Sequence, residues 1–277
     1  MLDFHCHSTA SDGSFSPKEL VSMAEKLGIT HLALTDHDTT DGIAEFMSVK
    51  SDVVRIPGIE ISVYFPSGEL HLVGLFIDVN NKEFADLEKD VKNFRKERNV
   101  KMIAALSELM KKNVALEDLT DNPDGQLGRP HIAGYLVKNG IVASVNEAFE
   151  MYLKDGARLA VPKKHVSIER AIKAVKSAGG ISVLAHPSTL KLDDCDLEKV
   201  ISSYKQIGLD GVEAYSSHSP EDKKTVFADI ARKHGLIISG GSDFHGSNAK
   251  VSSLGANFGD LKDEEILNPM YKLIAEK

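Results

Sequence analysis

An α/β fold carrying a mainly helical insertion is what this 277-residue sequence predicts, and three observations carry it. Short apolar, β-rich runs alternate with amphipathic stretches at both ends of the chain. Over residues 81–164 that alternation gives way to long, charged helical patterning. The chain, 42% hydrophobic, is also long enough to bury a sizeable core without covalent staples. The expected division is an α/β body formed by residues 1–80 and 165–277, with residues 81–164 as the insertion.

In "SPKELVSMAEKLG", Ser16 suits the N-cap, Pro17 the first helical position and Glu19 the third, with Gly28 as the stop. "THLALTDHD" follows as a buried strand ending in a polar cluster, and then a helix from about Thr40 to Lys50. "VVRIPGIEISVYF" and "GELHLVGLFI" are β-rich runs joined by the turn signal Pro66-Ser67-Gly68, so a hairpin or adjacent strands are expected. The insertion opens with "NKEFADLEKDVKNFRKERNVKMIAALSELMKK", passes through the loop "DNPDG", and continues in shorter helical segments to about Asp155. After residue 165 the alternation returns. Helix "SIERAIKAVKSAGG" precedes strand "ISVLAHP", a helix around 196–206 precedes strand "GVEAYS", and helix "PEDKKTVFADIARKHG" precedes strand "LIISGGSDFH".

A formal net charge of −8 and a pI near 5.8 argue against a protein that grips duplex DNA by neutralising phosphates over a broad face. They leave room for a small anionic substrate held through bound cations. Only two cysteines occur, Cys6 and Cys195, without CxxC spacing, and no apolar run of membrane length is present. The expectation is a soluble cytoplasmic protein in which both cysteines are small core or surface residues, and His31 and His234 are structural.

Each apolar strand run ends in a histidine or an acidic residue, and functional groups of α/β sheets collect at the carboxyl ends of strands. His5 and His7 share one face of an extended segment while Cys6 points to the other. Taken alone, this HxH pair is as compatible with two polar residues as with two ligands. Asp12, in Ser11-Asp12-Gly13, serves equally well as turn chemistry. His37 stands directly at a strand end, whereas Asp38, Thr39 and Thr40 read better as the approach to a helix N-cap. Glu60 lies within a β-rich run, where a buried glutamate needs a cation or a proton partner. His71 lies between hydrophobic residues, and His186, Asp243 and His245 follow later apolar runs.

A structural core would have to absorb all nine together, six histidines and three carboxylates. Unpaired buried carboxylates cost several kcal/mol each, which points instead to a multinuclear metal centre. Nitrogen and carboxylate ligands without thiolate suit Mn²⁺, Zn²⁺ or Fe²⁺. Nine ligands fit two or three ions, with a shared carboxylate holding neighbours roughly 3.5–4 Å apart. Such a site carries net positive charge, which attracts a phosphate and acidifies a bridging water.

In order, HxH, "SDG", "TDHD", "GIE", "LH", "AHP" and "SDFH" resemble the motifs of the PHP (polymerase and histidinol phosphatase) family of metal-dependent phosphoesterases. The resemblance covers the whole chain. It implies a distorted (β/α)₇ barrel with two to three divalent ions, manganese foremost, with iron, zinc or magnesium as alternatives. Carried over, His5, His7, Glu60 and Asp243 would hold one ion, Glu60, His71 and His186 a second, and Asp12, His37 and His245 a third. A metal-bridged water would be held by Glu60, Asp243 and His245.

The insertion and "GRPHIAGYLV" resemble the stand-alone branch that includes 3′,5′-nucleotide bisphosphate phosphatase and a 5′→3′ exoribonuclease, which implies Arg129 and His131 as contacts to a substrate phosphate. Arg129 offers a planar fork of donors, at a helix start whose N–H groups favour an anion. Ser188 and Thr189 follow "AHP" where relatives often carry glycine and a basic residue, and the nearest cation is Lys191. Ser216 and His218 are offered near another strand end for a sugar or base, while Lys163, Lys164 and His165 read as a solvated basic turn.

The resemblance implies hydrolysis of a phosphomonoester by a metal-bridged hydroxide. The substrate expected is a 3′,5′-bisphosphonucleotide or the 5′ end of a short single-stranded oligoribonucleotide, with no duplex DNA, membrane or obligate protein partner. One rival is a phosphatase for histidinol phosphate or another small metabolite. A second is a non-catalytic, metal-stabilised binding module, against which the ligand set stands complete.

Overall fold

Seven strands pair in chain order: β1 (Leu2–Asp3), β2 (His31–Leu34), β3 (Val54–Val63), β4 (Leu70–Leu75), β5 (Ile181–Leu184), β6 (Gly211–Ser216) and β7 (Ile237–Gly241). The computed structural model describes residues 1–119, 127–154, 156–248 and 253–277, so the expected "DNPDG" loop lies outside the described residues. Every pairing is parallel except those of β4, which is antiparallel to both β3 and β5. The ends of the sheet meet. Phe4 N–H donates to the Gly240 carbonyl at 3.1 Å, Asp243 N–H donates to the His5 carbonyl at 2.8 Å, and Cys6 bridges Phe244. This is the expected seven-stranded barrel, and the reversed β4 is its distortion.

The helices are α1 (Pro17–Leu27), α2 (Ile43–Ser48), α3 (Lys82–Met110), α4 (Arg129–Lys138), α5 (Val145–Ala148), α6 (Ile168–Ser177), α7 (Asp194–Gln206), α8 (Glu221–Lys233) and α9 (Asp263–Ala275). The Ser16–Glu19 capping box starts α1, and Gly28, at φ 69°, ends it in the left-handed conformation. α2 is shorter than the predicted 40–50. Glu88 of α3 accepts hydrogen bonds from the Thr40 N–H at 2.7 Å and hydroxyl at 2.9 Å, so the chain stays non-helical up to Gly42. α9 had no counterpart in the sequence prediction. It packs Ile266 and Met270 on Leu2, Phe4, Ile181 and Val183.

Strands buried on both faces read as continuous apolar runs, and here the two faces serve different layers. Ile59, Ile61, Leu72, Leu184, Val212 and Ala214 pack under the surrounding helices, the Ile, Leu and Val side chains each contributing about 1.5–3 kcal/mol. α3 belongs to two cores. Its first turns bury Phe84, Leu87 and Val91 against the barrel, whereas Met102 and Leu106 pack with Ile132, Leu136 and Leu153 in a separate helical core. One continuous helix therefore joins the two cores. Among the described residues no helix is long and apolar enough to cross a membrane.

The seam between β1 and β7 is held by a buried carboxylate. Asp3 accepts from the N–H groups of His5 (3.2 Å), Ser242 (2.9 Å) and Gly255 (2.7 Å) and from the Ser242 hydroxyl (2.6 Å). Asp3→Ala leaves these donors without their acceptor, at about 1–3 kcal/mol for each that water cannot reach. The variant is expected to lose about 3 kcal/mol, read as a melting temperature lower by about 6–12 °C in calorimetry.

Candidate metal centre

The site is built on pairings that continue past the ends of the short strands. β2 stops at Leu34, but Glu60 N–H donates to the Asp36 carbonyl at 3.2 Å and Asp38 N–H to the Glu60 carbonyl at 2.8 Å, which sets His37 beside Glu60. Glu60 thus lies inside β3 rather than at a strand end, contrary to the uniform pattern expected from the sequence. His71 departs from that pattern too, since it stands at the start of β4. Because β4 runs backwards, its start lies at the same end of the barrel as the carboxyl ends of its neighbours, with Ser62 opposite His71. Cys6 packs outward with Leu32 and Leu34, as the alternation predicts, while both flanking imidazoles turn inward.

Glu60, fully buried, is the hub. Its Oε2 lies 3.4 Å from Nε2 of both His5 and His7 and 2.6 Å from His37 Nδ1. Its Oε1 lies 2.8 Å from both His71 Nδ1 and His186 Nε2, which are 3.4 Å from each other. Asp243 Oδ1 closes the first group, 2.9 Å from His7 Nε2 and 3.4 Å from His5 Nε2. Asp12 Oδ1 faces His245 Nε2 at 3.3 Å and His37 Nε2 at 3.9 Å.

Three groups of ligand atoms result, each mutually within 4.8 Å: His5, His7, Glu60 and Asp243; His7, Asp12, His37 and His245; and His37, Glu60 and His71. Eight of the nine residues singled out in the sequence fall in these groups, and the ninth, His186, expected with Glu60 and His71, stands outside them against Glu60 Oε1. The structure adds His7 to the Asp12 group and places His37 between two groups.

Divalent cations fit this set on a packing observation. His5 Nε2, both ring nitrogens of His7, His37 Nδ1, Glu60 Oε2 and Asp243 Oδ1 are buried without a hydrogen-bond partner among the described residues. Buried polar atoms are otherwise almost always paired. Here lone-pair-bearing atoms crowd one another instead.

Charge favours the same conclusion. Burial makes charge on His7 costly and the adjacent His245 and His37 make it costlier, so its pKa falls to about 3 and the ring is a neutral donor set. Burial would raise the Glu60 and Asp243 carboxyls, but the surrounding imidazoles, His37 first for Glu60 and His5 first for Asp243, hold both well below the carboxylate range. Burial works against charge on His245 too, yet Asp12 outweighs it and lifts that imidazole to about 9.

Local backbone geometry aims the ligands. His186 has φ 23° and Asp243 φ 52°, positive values that non-glycine residues adopt at a cost of order 1–3 kcal/mol and that cluster at functional sites. Gly241 lies so close to β1 that a Cβ there would sit 2.2 Å from the His5 Cβ. Asp38 is a correction to the helix-approach reading. At φ 56° its carboxylate turns inward and accepts from Ser62 N–H (2.8 Å), Ser62 Oγ (3.0 Å) and Arg95 (2.5 Å). Thr189 resolves the departure after "AHP". Its hydroxyl lies 3.1 Å from His186 Nδ1 and donates to the Glu69 carbonyl, so it orients the His186 ring.

A cavity of about 450 Å³ adjoins the cluster through His71 and is lined by Arg98, Arg129, Lys163, His165 and Glu69. Lys163 and His165 therefore face this cavity, which corrects the solvated-turn reading. Lys164 alone of the three is exposed, paired with Glu97. Burial and then the neighbouring Arg129 and Arg95 lower Arg98 to about 10, and burial lowers Lys163. Glu69, drawn down to about 2 against its burial chiefly by Lys163, accepts from Arg129 at 2.9 Å.

The other substrate candidates lie elsewhere. His131 Nδ1 accepts from the Gly128 N–H at 3.0 Å, and the ring lines a second cavity with Lys112 and Tyr135. His218, half exposed, puts Nε2 2.7 Å from Asp243 Oδ2, and the Ser216 hydroxyl oxygen accepts from the His218 backbone N–H at 3.3 Å. Glu213, Arg98 and Glu69 were not anticipated. For Glu213 the signal was present, since "GVEAYS" is an apolar strand run interrupted by a carboxylate, as is the run around Glu60.

Comparison with known proteins agrees with this geometry. Residues 3–169 match the PHP domain. The chain is similar to a 5′-3′ exoribonuclease of Haemophilus influenzae, 36% identical over 245 residues that cover 88% of this chain and 89% of that one. It is similar to a 3′,5′-nucleoside bisphosphate phosphatase of Chromobacterium violaceum, 34% identical over 251 residues, covering 88% and 87%. A crystal structure from Bifidobacterium adolescentis, provisionally assigned as a metal-dependent phosphoesterase, superposes with a TM-score of 0.84 at 27% identity, covering 98% of this chain and 96% of that one.

Binding of ions to these groups stabilises the folded state, by about 2.7 kcal/mol per ion at a concentration 100 times the dissociation constant. Mn²⁺ added to metal-stripped protein is therefore expected to raise the melting temperature. Asp243→Asn is expected to erase most of that rise while the metal-free melting temperature stays close to the native value. A variant with the full native rise counts against Asp243 as a ligand.

Proposed function

Because this chain belongs to the PHP domain family of metal-dependent phosphoesterases, we propose that it hydrolyses a phosphomonoester on a 3′,5′-bisphosphonucleotide or at the 5′ end of a short oligoribonucleotide, using two or three divalent ions, manganese foremost. The nine residues His5, His7, Asp12, His37, Glu60, His71, His186, Asp243 and His245 would hold the ions. When bound, the ions supply Lewis acidity toward the phosphoryl oxygens and a water of raised acidity.

The observation that carries the substrate class is the basic cavity beside the cluster. A phosphoryl group at the cluster places the rest of a nucleotide at the His71 side, where Arg98, Arg129 and Lys163 line about 450 Å³. Like charges packed this closely are relieved by an anion, and Arg129 offers a fork matched to phosphate oxygens. Glu69 already occupies that role toward Arg129, so an incoming phosphate would exchange with its carboxylate. Holding one phosphate here fixes the distance and orientation of the other at the cluster, the positional advantage that raises the rate of a hydrolysis. His218, beside Asp243 at the rim, would keep that carboxylate aimed. A chain with every ligand group intact is also difficult to reconcile with a purely non-catalytic module.

A panel of phosphate esters assayed with Mn²⁺ tests this. Adenosine 3′,5′-bisphosphate is expected to be turned over with a KM at least 10-fold below that of AMP. Arg129→Ala and Lys163→Ala should each raise that KM about 10-fold or more, about 1.4 kcal/mol, with little effect on p-nitrophenyl phosphate. Equal KM values for AMP and the bisphosphate would sink the two-phosphate reading. His7→Ala should abolish activity in a folded protein, and full activity after remetallation would overturn the site itself.

A further inference from the structure

Glu213 belongs to none of the three ligand groups, yet it is 2% exposed at the centre of the barrel. Val212 and Ala214 pack outward beneath the helices, so the side chain between them points inward. The register of β6 against β7 slips between Glu213 and Tyr215, an irregularity of the kind that re-aims side chains next to functional sites. Glu213 Oε1 and Oε2 lie 3.2 and 3.1 Å from His5 Nδ1, and Oε2 also accepts the backbone N–H of His186 at 2.7 Å.

We propose that Glu213 is a positioning residue for the metal centre, holding the His5 ring with its proton on Nδ1 and the His186 backbone in its strained turn. The role rests on the cluster holding divalent ions, as proposed above. A histidine that binds metal through one nitrogen commonly donates the other N–H to a carboxylate, which fixes tautomer and ring orientation together. With the proton on Nδ1, the lone pair of His5 Nε2 faces Glu60 and Asp243, 3.4 Å away in each case. His186 sits at φ 23° and ψ 70°, a conformation that persists only when neighbours hold it, and the Glu213 bond to its N–H is one such restraint. His186 Nε2 then meets Glu60 Oε1 at 2.8 Å. One carboxylate that binds no metal therefore spans two groups, through His5 in one and His186 beside the other.

Glu213→Gln isolates this role, because the amide keeps the shape but puts an NH2 in place of one of the two oxygens that lie 3.2 and 3.1 Å from His5 Nδ1, where in either orientation it opposes a proton on that nitrogen. Mn²⁺ binding is measured by chelator competition on metal-stripped full-length protein, next to the metal-free melting temperature. The expected result is affinity for at least one ion weakened 10–100-fold, the usual cost of losing such a partner, with the metal-free melting temperature near native. Native Mn²⁺ affinity in the folded variant overturns the proposal, including the case in which only the metal-free melting temperature falls. No Mn²⁺ binding by the native protein would overturn the cluster reading instead, which separates the two failures. A second measurement needs no Glu213 variant. In Zn²⁺-loaded native protein, long-range ¹H–¹⁵N correlation of the imidazoles, with His5 assigned by its loss in His5→Gln, is expected to show an exchange-protected proton on Nδ1. A bare Nδ1 on His5 overturns the proposal.

Discussion

A carboxylate withdrawn completely from water, Glu60, is the constraint around which the site is arranged. Isolating such a charge costs several kcal/mol unless positive charge or hydrogen bonds compensate. Here Oε1 meets His71 and His186, while Oε2 faces His5, His7 and His37 without a hydrogen bond to any of them. Five imidazoles converge on one group, and the barrel geometry is what permits it. A reversed β4 brings His71 to the end where parallel strands deliver His5, His37 and His186. A uniformly parallel barrel would place the start of that strand at the opposite end.

Around this hub, strain is localised and over-determined. Asp38, His186 and Asp243 all carry positive φ, and each is tied by its own bonds: Asp38 through Ser62 and Arg95, His186 through Glu213 and Thr189, and Asp243 through its N–H to the His5 carbonyl. Interactions remote from the ligand atoms thus set where those atoms point. Asp3 does the same at larger scale, since one buried carboxylate joins β1, Ser242 and Gly255 at the barrel seam.

Global and local charge are opposed in this protein. The chain carries −8 overall, yet Arg95, Arg98, Arg129, Lys163 and His165 gather beside the metal groups. Arg98 of α3 and Arg129 of α4 meet Glu69 and His71 across the cavity, while Arg95 of α3 pairs with Asp38 beside it. α3 makes this possible by spanning both cores, so that Arg98 reaches the cavity from a helix whose first turns are anchored on the barrel. A net negative chain disfavours extended polyanions, whereas basic groups gathered in a cavity attract a small anion.

By itself the sequence determined the alternation of strands and helices, and it singled out the nine histidines and carboxylates that the barrel gathers, most of them after apolar runs and two, Glu60 and His71, within such runs. It also determined the capping of α1 by Ser16 and Glu19, which depends on local spacing alone. Only the tertiary structure decided which ligands share a group. His7 and His37 each belong to two groups, a sharing that depends on where the closed barrel sets their rings. The same holds for Asp38, Lys163 and Glu213. Their roles come from partners distant in the chain, Arg95 for Asp38, Arg129 and Glu69 for Lys163, and His5 for Glu213. No local periodicity encodes such pairings, since they exist only once the barrel has closed.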